Sequence, residues 1–130
     1  MNKKNIRILL INPNTTSSMT DKIGEVARQV AAPEVDIVAR NPKTGPASIQ
    51  GPEDGLAALP GMLEEVAKGR DDGFDAIILA CFDDTGLAEA RRLSGVPTTG
   101  IGEAAFHVAM LLGSKLSVVT TLAISVSGIC

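Results

Sequence analysis

Short apolar runs alternate with longer amphipathic stretches along this chain, and this alternation restricts its fold more than any other feature. Five runs have the length of buried strands, at 6–11, 35–39, 74–80, 96–99 and 116–120. The stretches between them carry apolar residues at helical spacing, over 18–31, 56–68, 85–93 and 103–112. Alternating strands and helices require right-handed crossovers between parallel strands. We therefore expect an α/β fold, an open parallel sheet with helices on both faces.

Proline and glycine interrupt this pattern between the second strand and the second helix. Residues 41–54 contain Pro42, Pro46 and Pro52 together with two glycines, so we expect irregular structure there. The loop is long enough to act as a lid, although long loops can also be merely solvated. Pro60 fits the first turn of a helix better than its interior.

Composition excludes several classes of function. The formal net charge is -3, the chain has neither Trp nor Tyr, and it has three Phe, which argues against a nucleic-acid surface. The apolar run 6–11 is too short for a signal peptide or a membrane span, so we expect a cytoplasmic protein. Two cysteines and one histidine indicate neither a disulfide framework nor a zinc site. A small-molecule ligand remains the expected partner.

The end of the chain is unusual for a complete α/β domain. After Thr121 only a short apolar segment follows, and no charged residue comes after Lys115. A soluble domain rarely ends with an unsupported apolar element. We therefore expect a truncated chain with an exposed apolar surface, which predicts aggregation or a homo-oligomer.

Cys81 follows the third predicted strand, where a helix is expected to begin. Ligands of open parallel sheets bind at the carboxyl ends of the strands. The positive end of a helix dipole favours a thiolate, so a cysteine in this place can be reactive. The alternative is a buried structural cysteine, since free Cys packs like a small apolar residue.

Polar residues also follow the first and fifth predicted strands. The segment 12–17 could hold a carboxylate or a phosphate, and Asn14 is the residue we expect to face the crevice. Helix capping by Thr16, Ser17 or Ser18 explains part of this segment without a ligand. Thr120 and Thr121 could donate hydrogen bonds into the same crevice.

Other candidate residues have structural explanations that are at least as strong as the functional ones. Asp83 and Asp84 could act as acid and base, but capping of a helix explains at least one of them. His107 lies in an apolar stretch, where a core or flanking histidine is commoner than a catalyst. The glycines at 100 and 102 are more simply read as a tight turn than as a nucleotide-binding loop.

Several of these segments occur together in one known family. They are Ile8-Leu9-Leu10-Ile11-Asn12-Pro13-Asn14-Thr15-Thr16, Thr44-Gly45-Pro46-Ala47-Ser48-Ile49, Ala80-Cys81-Phe82-Asp83-Asp84, Gly100-Ile101-Gly102-Glu103-Ala104-Ala105 and Val118-Val119-Thr120-Thr121. In this order, from residue 6 to about residue 123, the chain resembles the hydantoin racemases of the aspartate/glutamate racemase superfamily.

The resemblance implies racemisation of 5-substituted hydantoins, or of allantoin, without a metal or an organic cofactor. Two cysteines act on opposite faces of the substrate, since inversion requires removal and delivery of a proton on opposite sides. By this comparison Cys81 is the first base, Asn14 and Thr120 line the substrate site, and the amides near Phe82 and Asp83 contact substrate oxygens.

The resemblance also implies a second half, related to the first by pseudo-symmetry, that carries the second cysteine. Residues 1–94 would form the first domain and residues 95–130 the incomplete start of the second. Cys130 lies too close to Cys81 in the chain and lacks a strand-to-helix setting, so it receives no catalytic role. We expect racemisation by this chain to be impaired. The alternatives are a related amino-acid racemase, a maleate-type isomerase, a single-cysteine decarboxylase, or a non-catalytic fragment or anion-binding module.

Overall fold

A computed structural model describes residues 5–126, which form a four-stranded parallel sheet in the order β2-β1-β3-β4. The strands are β1 (Ile6–Ile11), β2 (Val35–Arg40), β3 (Ala76–Leu79) and β4 (Thr98–Gly100). The helices are α1 (Ser17–Val30), α2 (Pro52–Asp71), α3 (Leu87–Ser94) and α4 (Ile101–Leu112). A single 3₁₀ turn, Ala123–Ser125, lies near the end of the described residues. The predicted α/β architecture is confirmed.

Helices α1 and α2 pack on opposite faces of the sheet. Gly24 of α1 approaches the side chain of Ala39, which pairs in register with Leu10. Gly69 of α2 approaches the side chain of Leu9. Because successive side chains of a strand point to opposite faces, Leu9 and Leu10 mark the two sides of the sheet.

The core lies where β1 and β3 meet α2 and α3. Its buried apolar side chains are Leu9, Ile11, Met62, Val66, Phe74, Ile77, Leu79, Leu87 and Ala90. Burying one such side chain contributes about 1.5–3 kcal/mol, so this cluster holds the carboxyl ends of the two central strands in place.

The predicted fifth strand at 116–120 is wrong. These residues follow α4 as an irregular segment, with Val119 97% exposed. Their apolar pattern resembles a strand, but a strand requires hydrogen bonds from a neighbour, and the sheet of residues 5–126 contains four strands.

Helix α2 begins earlier than predicted, at Pro52, so the irregular segment ends at Gly51. Pro52 occupies the first turn, where a missing N–H costs little. Pro60 therefore lies inside the helix, contrary to the prediction for its first turn. Its ring is on the exposed face, so the carbonyl that loses its helical partner can bond water instead.

Apolar side chains are exposed along α4 and the segment after it. We call this set the C-terminal apolar face: Val108, Met110, Leu111, Leu112, Leu116, Val118, Val119, Leu122, Ile124 and Val126. No helix within residues 5–126 has the length and apolar character needed to cross a membrane.

Candidate functional site

The register of the sheet brings the ends of β1 and β3 side by side. Ile11 pairs with both Arg40 and Leu79, and Leu79 pairs with Gly100. Strand β1 pairs with β2 along one edge and with β3 along its other edge, so the connections after β1 and after β2 lead to opposite sides of β1. This is a topological switch point, where open parallel sheets form a ligand-binding crevice.

Two cavities occupy this crevice and share Cys81, Ser48 and Ile49. The smaller, of about 200 Å³, is lined by Asn12, Pro13, Asn14, Met19, Ser48, Ile49, Ala80 and Cys81. The larger, of about 480 Å³, is lined by Ser48, Ile49, Gln50, Cys81, Phe82, Asp83, Thr120, Thr121, Leu122 and Ser125. The five residues predicted as a site from the sequence therefore come together. Asn14 lines the smaller cavity, Phe82, Asp83 and Thr120 line the larger, and Cys81 lines both.

Cys81 lies two residues beyond the end of β3 and is partly buried. Its Sγ is 3.8 Å from the hydroxyl oxygen of Thr85. Helix α3 begins at Leu87 rather than at Thr85, because Gly86 adopts a left-handed conformation (φ 72°) that interrupts a helix. The turn between β3 and α3 thus carries the thiol and a hydroxyl that can hydrogen-bond it.

The Asn14 side chain is held in one orientation. Its Oδ1 accepts hydrogen bonds from Asn12 Nδ2 (2.8 Å) and from the N–H of Thr16 (2.9 Å). Its Nδ2 donates to Met19 Sδ at 3.3 Å, and a thioether is a weak acceptor. The side chain is 7% exposed, so a carbonyl oxygen in the smaller cavity would offer Nδ2 a stronger partner.

The backbone after Cys81 offers further donors. The Cys81 carbonyl accepts the N–H of Asp84 (3.0 Å) in a tight turn. Within residues 5–126, no protein acceptor takes the N–H of Phe82 or of Asp83. The Phe82 ring packs against Phe106 of α4, with the ring centres 5.7 Å apart.

Asp84 caps a helix, as expected for one of the two aspartates, but the helix is α4 and not α3. Its two carboxylate oxygens accept the N–H groups of Gly102 (3.0 Å) and Glu103 (2.6 Å). Glu103 also pairs with Arg91 of α3, whose guanidinium donates to the Thr98 carbonyl. The turn that carries Cys81 is thereby tied to β4, α3 and α4.

The loop between β2 and α2 contributes Ser48 and Ile49, which the sequence analysis did not assign to the site. Thr15 N–H donates to the Pro46 carbonyl (3.0 Å), and the Thr16 hydroxyl donates to the Ala47 carbonyl (2.6 Å). Thr16 therefore does not cap α1 through its side chain, contrary to one of the expectations. The segment 44–49 was noted for its resemblance alone, which was the signal that could have identified these two residues.

His107 lies outside both cavities and is exposed on α4. Its Nδ1 is 2.8 Å from the Glu103 carbonyl, one helical turn away. Of the two structural explanations given for this histidine, core or flanking, its exposed position fits the flanking one.

Comparisons with known proteins agree with this architecture. Residues 8–129 match the Asp/Glu/Hydantoin racemase family. A hydantoin racemase from Rhizobium meliloti is 46% identical over 121 residues, which is 93% of this chain and 50% of that protein. A hydantoin racemase from Pseudomonas sp. (strain NS671) is 43% identical over 117 residues, covering 90% of this chain and 47% of that protein.

A solved allantoin racemase from Klebsiella pneumoniae superposes with a TM-score of 0.93 at 44% identity, over 95% of this chain and 51% of that one. The chain thus spans about half the length of the curated relatives that it matches. With the strand order and the crevice described above, these similarities establish that this chain belongs to the Asp/Glu/hydantoin racemase family.

Proposed function

We propose that this chain takes part in the cofactor-independent racemisation of 5-substituted hydantoins or of allantoin, with Cys81 as the base. The observation that carries the proposal is the position of Cys81 where the two cavities meet, at the switch point of the sheet. The names of the relatives, hydantoin racemase and allantoin racemase, supply the substrate class.

In the first step, the Cys81 thiolate removes the proton from the substrate carbon next to a carbonyl. The S–H bond forms as the C–H bond breaks, and the electron pair moves onto the carbonyl oxygen as an enolate. A thiolate is the required form of the base. The Thr85 hydroxyl lies 3.8 Å from Sγ, within reach of a hydrogen bond to the sulfur.

The enolate oxygen needs hydrogen-bond donors that are already in place. The N–H groups of Phe82 and Asp83 are open to such an oxygen, because no acceptor among residues 5–126 occupies them. Asn14, whose Nδ2 is a hydrogen-bond donor, lines the smaller cavity, and Thr120 lines the larger one. We assign these four residues to substrate binding.

Inversion also requires a proton donor on the opposite face of the substrate. Among residues 5–126, Cys81 is the only cysteine. We therefore expect the 130-residue chain to exchange the substrate proton with solvent on one face and to racemise little.

Deuterium incorporation into L-5-methylhydantoin and into allantoin, each in heavy water, tests the proposal. We expect exchange at the carbon next to the carbonyl to exceed the uncatalysed rate with the wild-type chain, and to fall to that rate with Cys81→Ser. Cys130→Ser is the matched control, since it removes the other thiol of the chain and should exchange like the wild type. Equal exchange rates for the wild type and Cys81→Ser would show that Cys81 is not the base. Whichever of the two compounds exchanges its proton with the wild-type chain is identified as the substrate.

A further inference from the structure

A chain of hydrogen bonds, part-buried at Asn41 and buried from Thr20 onward, leads from the end of β2 to Asn14. The Thr20 hydroxyl donates to Asn41 Oδ1 (2.8 Å) and accepts from Asn12 Nδ2 (3.0 Å). The same Nδ2 group donates its other hydrogen to Asn14 Oδ1 (2.8 Å). We call Asn41, Thr20, Asn12 and Asn14 the asparagine relay. It joins the residue that follows β2, helix α1 and the segment after β1.

Every member of the asparagine relay has its polarity set by its neighbours. Asn41 Nδ2 donates to the Pro42 carbonyl (3.0 Å), which leaves Oδ1 facing Thr20. The Thr20 hydroxyl has two acceptors in range, Asn41 Oδ1 at 2.8 Å and the Thr16 carbonyl at 3.3 Å. Its single hydrogen goes to one of these oxygens, so a lone pair of the hydroxyl is left to accept from Asn12. Asn12 Nδ2 must then donate to both Thr20 and Asn14, while its Oδ1 accepts the Asn14 N–H (3.3 Å).

The result of this ordering is the direction of the Asn14 carboxamide. Because its Oδ1 is held by two donors, its Nδ2 is directed away from them, next to Met19 on the wall of the smaller cavity. A rotated carboxamide would place its N–H groups against the donors Asn12 Nδ2 and Thr16 N, and both contacts would become repulsive. Asn12 and Thr20 are 1% and 4% exposed, so water cannot replace a missing member cheaply.

We propose that Thr20 is a positioning residue that orients Asn14 Nδ2 as a hydrogen-bond donor to a substrate carbonyl. This inference rests on the proposed function for the identity of the ligand. Thr20 lines neither cavity of the crevice and acts through Asn12. This role depends on the Thr20 hydroxyl and not on its methyl group. Thr20→Val, which removes the hydroxyl, and Thr20→Ser, which removes the methyl group, therefore form a matched pair of variants.

The test is a double-mutant cycle on the full chain, with 5-methylhydantoin as the ligand and its dissociation constant measured by NMR titration. Thr20→Val keeps the shape of the side chain but removes its hydroxyl, and we expect about fivefold weaker binding from the loss of one oriented hydrogen bond. Thr20→Ser keeps the hydroxyl and should bind within about twofold of the wild type. In an Asn14→Ala background, Thr20→Val should change the affinity no further, since no donor is left to position.

Several outcomes would overturn the positioning role. Equal losses from Thr20→Val with and without Asn14 would show that Thr20 acts on the fold of the site as a whole. An unchanged affinity in Thr20→Val would show that its hydroxyl is dispensable, and a Thr20→Ser variant as weak as Thr20→Val would show that the methyl group is the important part. If Thr20→Val does not fold, Thr20→Ala replaces it, because it also removes the hydroxyl, with the same expectations.

A second measurement needs no ligand and separates this inference from the proposed function. We expect the ¹⁵N order parameter of the Asn14 side-chain amide to fall in Thr20→Val and to recover in Thr20→Ser. The exposed side-chain amide of Gln29, on the same helix as Thr20, should not change. If the wild-type chain does not bind 5-methylhydantoin, the proposed function fails. The positioning role fails separately, if the order parameter of the Asn14 side-chain amide is the same in Thr20→Val as in the wild type.

Discussion

The Asp84 carboxylate accepts the N–H of Gly102 at 3.0 Å, which fastens the turn carrying Cys81 to the first turn of α4. Asp84 itself has a left-handed backbone conformation (φ 49°), which aspartate tolerates better than most residues. The helix has a glycine at its N-cap and no cap of its own from a side chain. Asp84, which precedes Gly102 by 18 positions, thus caps the N-terminus of α4, a role that usually belongs to the residue just before the helix.

Asp84→Ala should lower the free energy of unfolding by about 1–2 kcal/mol, because the N–H groups of Gly102 and Glu103 lose their acceptor. Urea denaturation measures the change. Asp84→Asn keeps one acceptor oxygen and should lie between alanine and the wild type. Asp83→Ala is the matched control for stability, as Asp83 caps no helix, and an equal loss there would contradict the capping role.

Gly102→Ala should also be destabilising, by about 1–3 kcal/mol, since its Cβ would meet the Phe82 carbonyl oxygen and lie 2.9 Å from Asp84 Oδ2. The control is another helical glycine, Gly55 of α2, where a Cβ would meet Thr85 Cγ2 at 3.6 Å, an ordinary contact. There alanine should stabilise the protein by about 0.5–1 kcal/mol through its higher helix propensity. A similar change in the denaturation midpoint for both variants would argue against the close approach at Gly102.

Thr85→Val should slow the alkylation of Cys81 by iodoacetamide about threefold, because it removes the hydroxyl that lies 3.8 Å from Sγ, and one hydrogen bond contributes about 0.5–1.5 kcal/mol. Mass spectrometry of the labelled peptide separates Cys81 from Cys130. Thr85→Ser keeps the hydroxyl and should react like the wild type. If all three proteins react at one rate, the contact with Thr85 has no effect on the reactivity of Cys81.

The C-terminal apolar face should cause self-association at micromolar concentrations. Met110, Leu111 and Leu112 are 71%, 85% and 84% exposed, and contiguous apolar patches of this kind mark interaction or aggregation sites. Leu111→Glu combined with Leu112→Glu should shift the chain towards the monomer in sedimentation velocity.

Val30→Glu is the control for this experiment, because Val30 is equally exposed (82%) but ends α1, outside the C-terminal apolar face. It should leave the association unchanged. A wild-type chain that sediments as a monodisperse monomer would contradict the prediction.

The two central strands were predicted from residues that the structure buries. Leu9, Ile11, Ile77 and Leu79 belong to apolar runs that have no stable place outside a core, so their pattern alone identifies β1 and β3. Residues 116–120 have a similar pattern, yet they form no strand in the described part of the chain. Hydrogen bonding to a neighbouring strand is a property of the whole sheet and does not follow from one segment.

The candidate site also contains residues that the sequence pattern predicts and residues that it does not. Cys81 and Asn14 were predicted because each follows an apolar run, and the carboxyl ends of parallel strands converge at one edge of a sheet. Ser48 and Ile49 reach the crevice through hydrogen bonds from Thr15 and Thr16 to a loop thirty-one positions away, which no local pattern indicates. The role of Asp84 also escaped the sequence, since either neighbouring helix could have received its carboxylate.

The sequence by itself determined the α/β class, the four described strands and the places where chemistry could occur. These follow from the free energy of burying apolar side chains at a period of two or of 3.6 residues, which is a local property. Only the tertiary structure decided which donors face Cys81, which helix Asp84 caps and how Thr20 bears on Asn14. Hydrogen bonds are short and directional, so their partners are settled only when distant segments are brought within about 3 Å of one another.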